Sequence, residues 1–208
     1  MQNPVARHAG FSHNLGGETF IGKETNMKQQ ILFIHGAGSG AHELDNKLAA
    51  SLQQTLGANY QVNNPQMPGE GAPEYKLWKA EIARQLKTFN DAPILVGHSL
   101  GASVLLKYLT EEAVKNPIRA LFMIAAPYWG AKDWEVDEYK LSEDFATHLP
   151  KGLPIFLYQG RDDEVVSFTH LAMYADKLPQ ATIRELEGRG HQLNNDLSEV
   201  AADILRMR

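Results

Sequence analysis

The sequence lacks cysteine entirely and has no long hydrophobic run. Without cysteine there can be no disulfide bond, no thiolate nucleophile and no cysteine-ligated zinc or iron–sulfur centre. No segment approaches the roughly 18 consecutive apolar residues of a membrane span, and residues 1–26 have no apolar core of the signal-peptide type. We therefore expect a cytoplasmic protein that makes no membrane contact.

An excess of charge of one sign is also missing. The formal net charge is -5, charged residues make up 22% of the 208 residues, and neither sign forms a dense run. Nucleic acids and anionic membranes attract basic surfaces. We therefore expect no nucleic-acid partner, while the sequence leaves the oligomeric state open.

Regular alternation of strand and helix patterns is the main feature that is present. Apolar runs suited to buried strands lie at 31–35, 60–65, 93–98, 119–126, 154–160 and 181–187, and helical patterns lie at 42–56, 74–89, 99–115, 164–178 and 194–207. Such alternation predicts an α/β three-layer sandwich, a mostly parallel sheet of about six strands with helices on both faces. Residues 27–208 are predicted to form one domain, and the polar residues 1–26 an accessory extension.

A serine lies between two glycines at the end of the third apolar run. Gly97-His98-Ser99-Leu100-Gly101 fits the G-x-S-x-G pattern of a nucleophile elbow, a strained strand-to-helix turn that exposes a serine hydroxyl. Because a serine hydroxyl is a weak nucleophile at neutral pH, it needs a base within hydrogen-bond reach. Ser99 is therefore the candidate nucleophile, and the alternative is an ordinary tight turn.

The candidate base and acid follow the last two strands. His191 lies in the loop after the sixth run, whereas His98 next to the serine should point elsewhere. The segment "GRDDEVV" offers three acids, of which Asp163 has the preferred spacing from Gly160 and Val166, while Asp162 and Glu164 remain alternatives. Asp163 would orient His191 and stabilise its protonated form, or it would merely cap a helix. His35 is interpreted as packing beneath the site. The remaining histidines are interpreted as surface or capping residues: His8, His13, His42, His148 and His170.

A small-residue loop, "HGAGSG", follows the first strand. The oxyanion of an acyl-transfer reaction needs two backbone N–H donors, for which Ala37 and Leu100 are the candidates. A dinucleotide-binding loop is the competing interpretation, but the full G-x-G-x-x-G pattern is absent.

With these motifs, residues 31–205 resemble the α/β-hydrolase superfamily, in which serine, acid and histidine follow one another in this order. Within it the chain resembles the small serine hydrolases of the retinoblastoma-binding-protein type, on the segments "NNPQMPGEGAPEYKLWKAEI" and "GHQLNN". The resemblance implies no metal and no organic cofactor.

Residues 127–153 stand where many members of that superfamily insert a helical lid, so only a minimal lid is expected. Four side chains are candidates for the substrate pocket: His35, Tyr128, Trp129 and Trp134. A small open pocket favours small carboxylic esters or thioesters as substrates, cleaved through a covalent acyl-enzyme. The alternative is a ligand-binding or protein-interaction module with little turnover on the same fold.

Overall fold

A computed structural model describes residues 28–114, 116–132 and 134–207. Six strands form one sheet: β1 (Gln29–Ile34), β2 (Tyr60–Asn63), β3 (Ile94–His98), β4 (Ala120–Ile124), β5 (Ile155–Gly160) and β6 (Thr182–Leu186). Within these described ranges, six α-helices accompany them: α1 (Ala41–Leu56), α2 (Tyr75–Leu86), α3 (Leu100–Glu111), α4 (Phe145–His148), α5 (Thr169–Lys177) and α6 (Ser198–Arg206). The predicted extension, residues 1–26, lies outside the described residues.

The sheet is parallel throughout its described strands, in the order β2-β1-β3-β4-β5-β6. β3 and β4 are buried at every residue, as expected for strands that are covered on both faces. The edge strand β2 is only partly buried, which explains its weaker apolar pattern. The predicted fold class, an α/β three-layer sandwich with a mostly parallel sheet of about six strands, is therefore confirmed.

Two hydrophobic clusters cover the two faces of the sheet. Alternate side chains of β1 divide between them: Leu32 joins the cluster under α2, α3 and α5, and Phe33 joins the cluster under α1 and α6. This period of two is what a strand between two helical layers requires. The carboxyl ends of the strands are left at one rim, where the connecting loops meet.

Two helices begin later than the sequence pattern indicates. The predicted helix at 164–178 begins at Thr169, and in the turn before it the N–H groups of Val165 and Val166 bind Asp163. The predicted helix at 194–207 begins at Ser198, because the three residues Leu193–Asn195 have φ values of 45° to 56°. Because both helices begin later than expected, irregular loops precede them next to the candidate site.

The segment between β4 and β5 contains little regular structure. Its described part holds a single 3-10 turn, Asp137–Tyr139, and the four-residue helix α4. This segment matches the expected minimal lid.

Candidate active site

Ser99 occupies a strained turn between β3 and α3. Its backbone has φ 50° and ψ −123°, a conformation that L-residues rarely adopt. Its N–H donates to the carbonyl of Ile124 in β4 at 2.8 Å, which fixes the turn to the neighbouring strand. The two flanking glycines are sterically required: a Cβ on Gly97 would lie 2.5 Å from the Cα of Ala102, and one on Gly101 would collide with main-chain oxygens of β1. The segment 97–101 therefore has the strained strand-to-helix turn that its sequence pattern predicted.

Asp163 and His191 form a hydrogen-bonded pair across the loops after β5 and β6. Nδ1 of His191 lies 2.9 Å from Oδ2 and 3.0 Å from Oδ1 of Asp163. The Asp163 carboxylate is fully buried, whereas the imidazole is 13% exposed. A carboxylate only accepts hydrogen bonds, so Nδ1 carries the proton and Nε2 is left as an acceptor. Among the described residues, neither Nε2 of His191 nor the Ser99 hydroxyl has a hydrogen-bond partner.

Donors around Asp163 keep it ionised. Burial raises the pKa of the carboxyl group, but the hydrogen bonds from His191 and from the N–H groups of Val166 and Val165 outweigh burial and lower it. Gln159, itself buried in β5, adds a hydrogen bond of 2.6 Å to Oδ2 and one of 3.0 Å to the carbonyl of Val166. Asp163 therefore contacts His191 and also caps a turn, rather than the helix that the sequence pattern indicated.

The two neighbouring acids bind the main chain of the histidine loop. Oδ1 of Asp162 accepts the N–H groups of Arg189 and Gly190 at 3.0 and 3.1 Å. Oε2 of Glu164 accepts the N–H of His191 at 3.1 Å. Of the three candidate acids, only Asp163 contacts the imidazole in this arrangement.

The loop after β1 lies against the elbow. A Cβ placed on Gly36 would be 3.2 Å from the Cβ of Ser99, so the loop backbone passes close to the serine. Glu70 fixes the loop, because its carbonyl accepts the Gly38 N–H at 2.7 Å and its carboxylate accepts the N–H groups of Gly40 and His42. The N–H of Ala37 makes no hydrogen bond within the described parts of the chain. Leu100 is the first residue of α3, where an N–H has no partner inside the helix.

Aromatic side chains after β4 form a cluster on the lid segment. The Trp129 ring lies 5.0 Å from that of Trp134 and 4.7 Å from that of Tyr139, and the Tyr128 ring lies 4.9 Å from Tyr174. Tyr128, Trp129 and Trp134 are half-buried. Trp129 and Trp134 are thus in ring contact with each other, whereas the Tyr128 ring contacts Tyr174, and all three candidate pocket residues remain partly accessible.

The fourth candidate, His35, is placed differently. It is 0% exposed, and its ring nitrogens contact the carbonyl of Gly36 at 2.6 Å and the N–H of Met67 at 2.9 Å. Both nitrogens are therefore used inside the protein, so His35 supports the loop from beneath and does not line a pocket.

The prediction for His170 was wrong, since this residue is buried. Its Nδ1 accepts the N–H of Tyr128 at 2.7 Å, and its ring lies 6.1 Å from that of Trp134. It supports the aromatic cluster, and the residues between β4 and α5 give no local sign of this contact.

Sequence reasoning missed a buried polar network beneath the site. Asp45 on α1 binds His98, the Gly36 N–H and Gln192. A single acidic residue within the pattern of an amphipathic helix such as α1 is common, so Asp45 did not stand out in the sequence. Its partners lie in segments that are distant along the chain, so no local pattern indicates the contacts. The only signal was that a titratable residue, His98, ends a fully buried strand.

Within the described residues, no helix is long and apolar enough to cross a membrane. The same residues contain no group of three or more histidine, aspartate or glutamate side chains arranged to hold a metal ion.

Solved structures with this fold include several hydrolases. A serine hydrolase involved in carbazole degradation (CarC enzyme) is 14% identical, with a TM-score of 0.70 over 87% of this chain and 91% of that one. The ydeN gene product from B. subtilis is 19% identical, with a TM-score of 0.68 over 86% and 98%. A thioesterase domain from the curacin biosynthetic pathway is 17% identical, with a TM-score of 0.63 over 87% and 92%. These likenesses show the fold.

No curated protein sequence matches the chain. The model of one protein family, described as serine hydrolase, matches residues 32–198, which include Ser99, Asp163 and His191. The chain therefore belongs to the serine hydrolase family.

Proposed function

We propose that the protein hydrolyses small carboxylic esters or thioesters through a covalent acyl-enzyme, with Ser99, His191 and Asp163 as the catalytic triad. The observation that carries this proposal is the contact of the buried Asp163 carboxylate with Nδ1 of His191. It fixes the tautomer in which Nε2 can accept a proton. The elbow supplies the nucleophile, and the N–H groups of Ala37 and Leu100 supply an oxyanion hole.

In the first half of the proposed reaction, the Ser99 hydroxyl attacks the substrate carbonyl carbon and its proton passes to Nε2 of His191. The carbonyl oxygen becomes an oxyanion held by the N–H groups of Ala37 and Leu100. Asp163 stabilises the protonated imidazole without taking its proton. The oxyanion then collapses, the bond to the leaving alcohol or thiol breaks, and His191 gives that leaving group the proton.

In the second half, water attacks the acyl-enzyme. Nε2 of His191 takes a proton from the water, and the oxyanion forms again in the same hole. Its collapse breaks the bond to Ser99, whose oxygen regains the proton from His191. The products are a carboxylic acid and the free enzyme, so no redox partner or cofactor is required.

The substrate class follows from the small lid and the aromatic cluster. A segment with one 3-10 turn and a four-residue helix provides little surface to enclose a long acyl chain. Half-buried rings at Tyr128, Trp129 and Trp134 offer an apolar wall for a short one. The similarity to a thioesterase domain supports including thioesters.

A panel of nitrophenyl esters and matched thioesters with acyl chains from acetyl to palmitoyl tests this function. We expect the highest kcat/KM at about two to six carbons, since an open apolar pocket of ordinary size encloses a short chain. Ser99→Ala is the control and should abolish turnover. A clear preference for the longest chains, with activation at a lipid interface, would contradict the proposed substrate class. Activity that survives in Ser99→Ala would contradict the mechanism.

A further inference from the structure

Asp45 connects three separate segments of the candidate site. Its Oδ2 accepts the N–H of Gly36 in the loop after β1 and a hydrogen bond from Nδ1 of His98 in the elbow, both at 2.8 Å. Its Oδ1 accepts the side-chain amide of Gln192, the residue after His191, at 2.7 Å. All of these contacts are donated to the carboxylate, whose side chain is 2% exposed.

These donors keep Asp45 ionised although it is buried. Burial raises the pKa of its carboxyl group, but the His98 charge and the hydrogen bonds from His98, Gln192 and Gly36 lower it to about 2. A negative charge is therefore fixed beneath the loop that precedes α1.

His98 faces an acceptor at each ring nitrogen. Nδ1 faces the Asp45 carboxylate, and Nε2 lies 3.0 Å from the main-chain carbonyl of His191. A neutral imidazole carries only one N–H, so it can satisfy only one of these acceptors. The geometry requires the doubly protonated ring. Burial lowers the pKa of His98, but the Asp45 carboxylate, the His191 carbonyl and the more distant Asp163 charge raise it above the ordinary value.

The catalytic candidates are close to this ring. The His98 and His191 rings have centroids 4.9 Å apart, and the Asp163 carboxylate lies on the Nδ1 side of His191. The N–H of Gly36 belongs to the residue before Ala37, the candidate oxyanion donor. Loss of the Asp45 or His98 hydrogen bonds should therefore shift both the candidate base, His191, and the loop that contains Ala37.

We infer that Asp45 and His98 form a buried ion pair that holds the oxyanion loop, the elbow and the His191 loop in one fixed arrangement, with both acting as positioning residues. This inference rests on the proposed function, in which His191 is the base. A buried ion pair contributes little net stability, because the cost of desolvation offsets the attraction. Its main effect is therefore on geometry, and a misplacement of about 1 Å can lower a catalysed rate about 100-fold.

The first test measures the protonation of His98. In ¹⁵N NMR spectra of the Ser99→Ala protein at pH 7, both ring nitrogens of His98 should carry protons, with the signals assigned by their loss in His98→Gln. Asp45→Asn removes the main cause that raises the pKa and leaves burial, which lowers it. The ring should then be neutral at the same pH. A neutral His98 in the Ser99→Ala protein would overturn the inference, and this readout does not depend on turnover.

The second test measures kinetics with a matched control. Asp45→Asn should lower kcat about 10- to 100-fold, the range expected for a misplaced catalytic group, and should change KM less than about threefold. Asp203→Asn is the control, because Asp203 is a buried carboxylate on α6 that binds Arg184 and Tyr158 and none of the site residues. It should lower stability and leave kcat unchanged.

An unchanged kcat in a folded Asp45→Asn protein, or an equal loss in Asp203→Asn, would overturn the positioning role. If Asp45→Asn fails to fold, His98→Gln takes its place in the kinetic comparison. The expected result is the same: a kcat that is about 10- to 100-fold lower and a KM that changes less than about threefold. Absence of ester and thioester turnover in the unmodified protein would instead contradict the proposed function. In that case the NMR measurement still decides whether the ion pair exists.

Discussion

Three consecutive acidic residues after β5 have different partners, and this difference determines what each substitution should do. Oδ1 of Asp163 accepts the N–H groups of Val165 and Val166, so the carbonyl of an introduced asparagine would remain on that side. Its NH₂ group would then face Nδ1 of His191. The imidazole would have to carry its proton on Nε2, which is the wrong tautomer for a base.

Asp163→Asn should therefore lower kcat by as much as ~10⁴-fold, the loss known for this substitution in serine proteases, with the fold retained. Asp162→Asn and Glu164→Gln are matched controls, because an amide oxygen can still accept the backbone N–H groups that these side chains bind. Each should cost less than about tenfold, since a screened neighbouring charge acts weakly. Steady-state kinetics on one ester compares the three variants. A larger loss in either control than in Asp163→Asn would reassign the acid.

At the scale of the element, the β3–α3 turn sets how closely α3 approaches the sheet. A Cβ on Gly101 would meet the carbonyl oxygens of Ile34 and His35, which are rigid main-chain atoms at the end of β1. Gly101→Ala should destabilise the protein by more than about 3 kcal/mol, the upper range for overpacking. It should also lower activity, because β1 leads directly into the oxyanion loop.

Gly152→Ala provides the comparison for Gly101→Ala. Gly152 has φ 72° and open space around it, so the substitution introduces backbone strain of about 1 kcal/mol without a collision. Urea denaturation of both variants measures the difference. Equal stability of the two variants would show that α3 can move away from β1 and that the elbow is not tightly constrained.

The bounds of some strands and helices could be predicted from the sequence pattern, and those of others could not. The buried strands β3, β4 and β5 were predicted to within one or two residues, because short runs rich in Val, Ile, Leu and Phe are typical of strands that are covered on both faces. The starts of α5 and α6 were not predicted, because a turn capped by Asp163 precedes α5 and the left-handed residues Leu193–Asn195 precede α6. Such contacts depend on which loops meet and leave no periodic pattern.

At the scale of the whole molecule, the rim of a parallel sheet brings distant residues together. The sequence predicted that the candidate nucleophile, acid and base follow the ends of strands. Because parallel strands place their carboxyl ends at one edge of the sheet, these residues could be expected to lie close together. The pairing of Asp45 with His98, 53 positions apart, could not be predicted. The elbow motif that contains His98 specifies no partner on α1, and the packing of α1 against the sheet places the two residues in contact.

Labelling with a fluorophosphonate, followed by peptide mass mapping of the folded chain, tests Ser99 as the activated nucleophile most directly. Only a serine with a lowered barrier to attack reacts readily with such a probe. We predict one adduct per chain, on Ser99, absent in Ser99→Ala and strongly slowed in His191→Ala. An adduct on a different serine, or no adduct on the folded protein, would contradict the assignment.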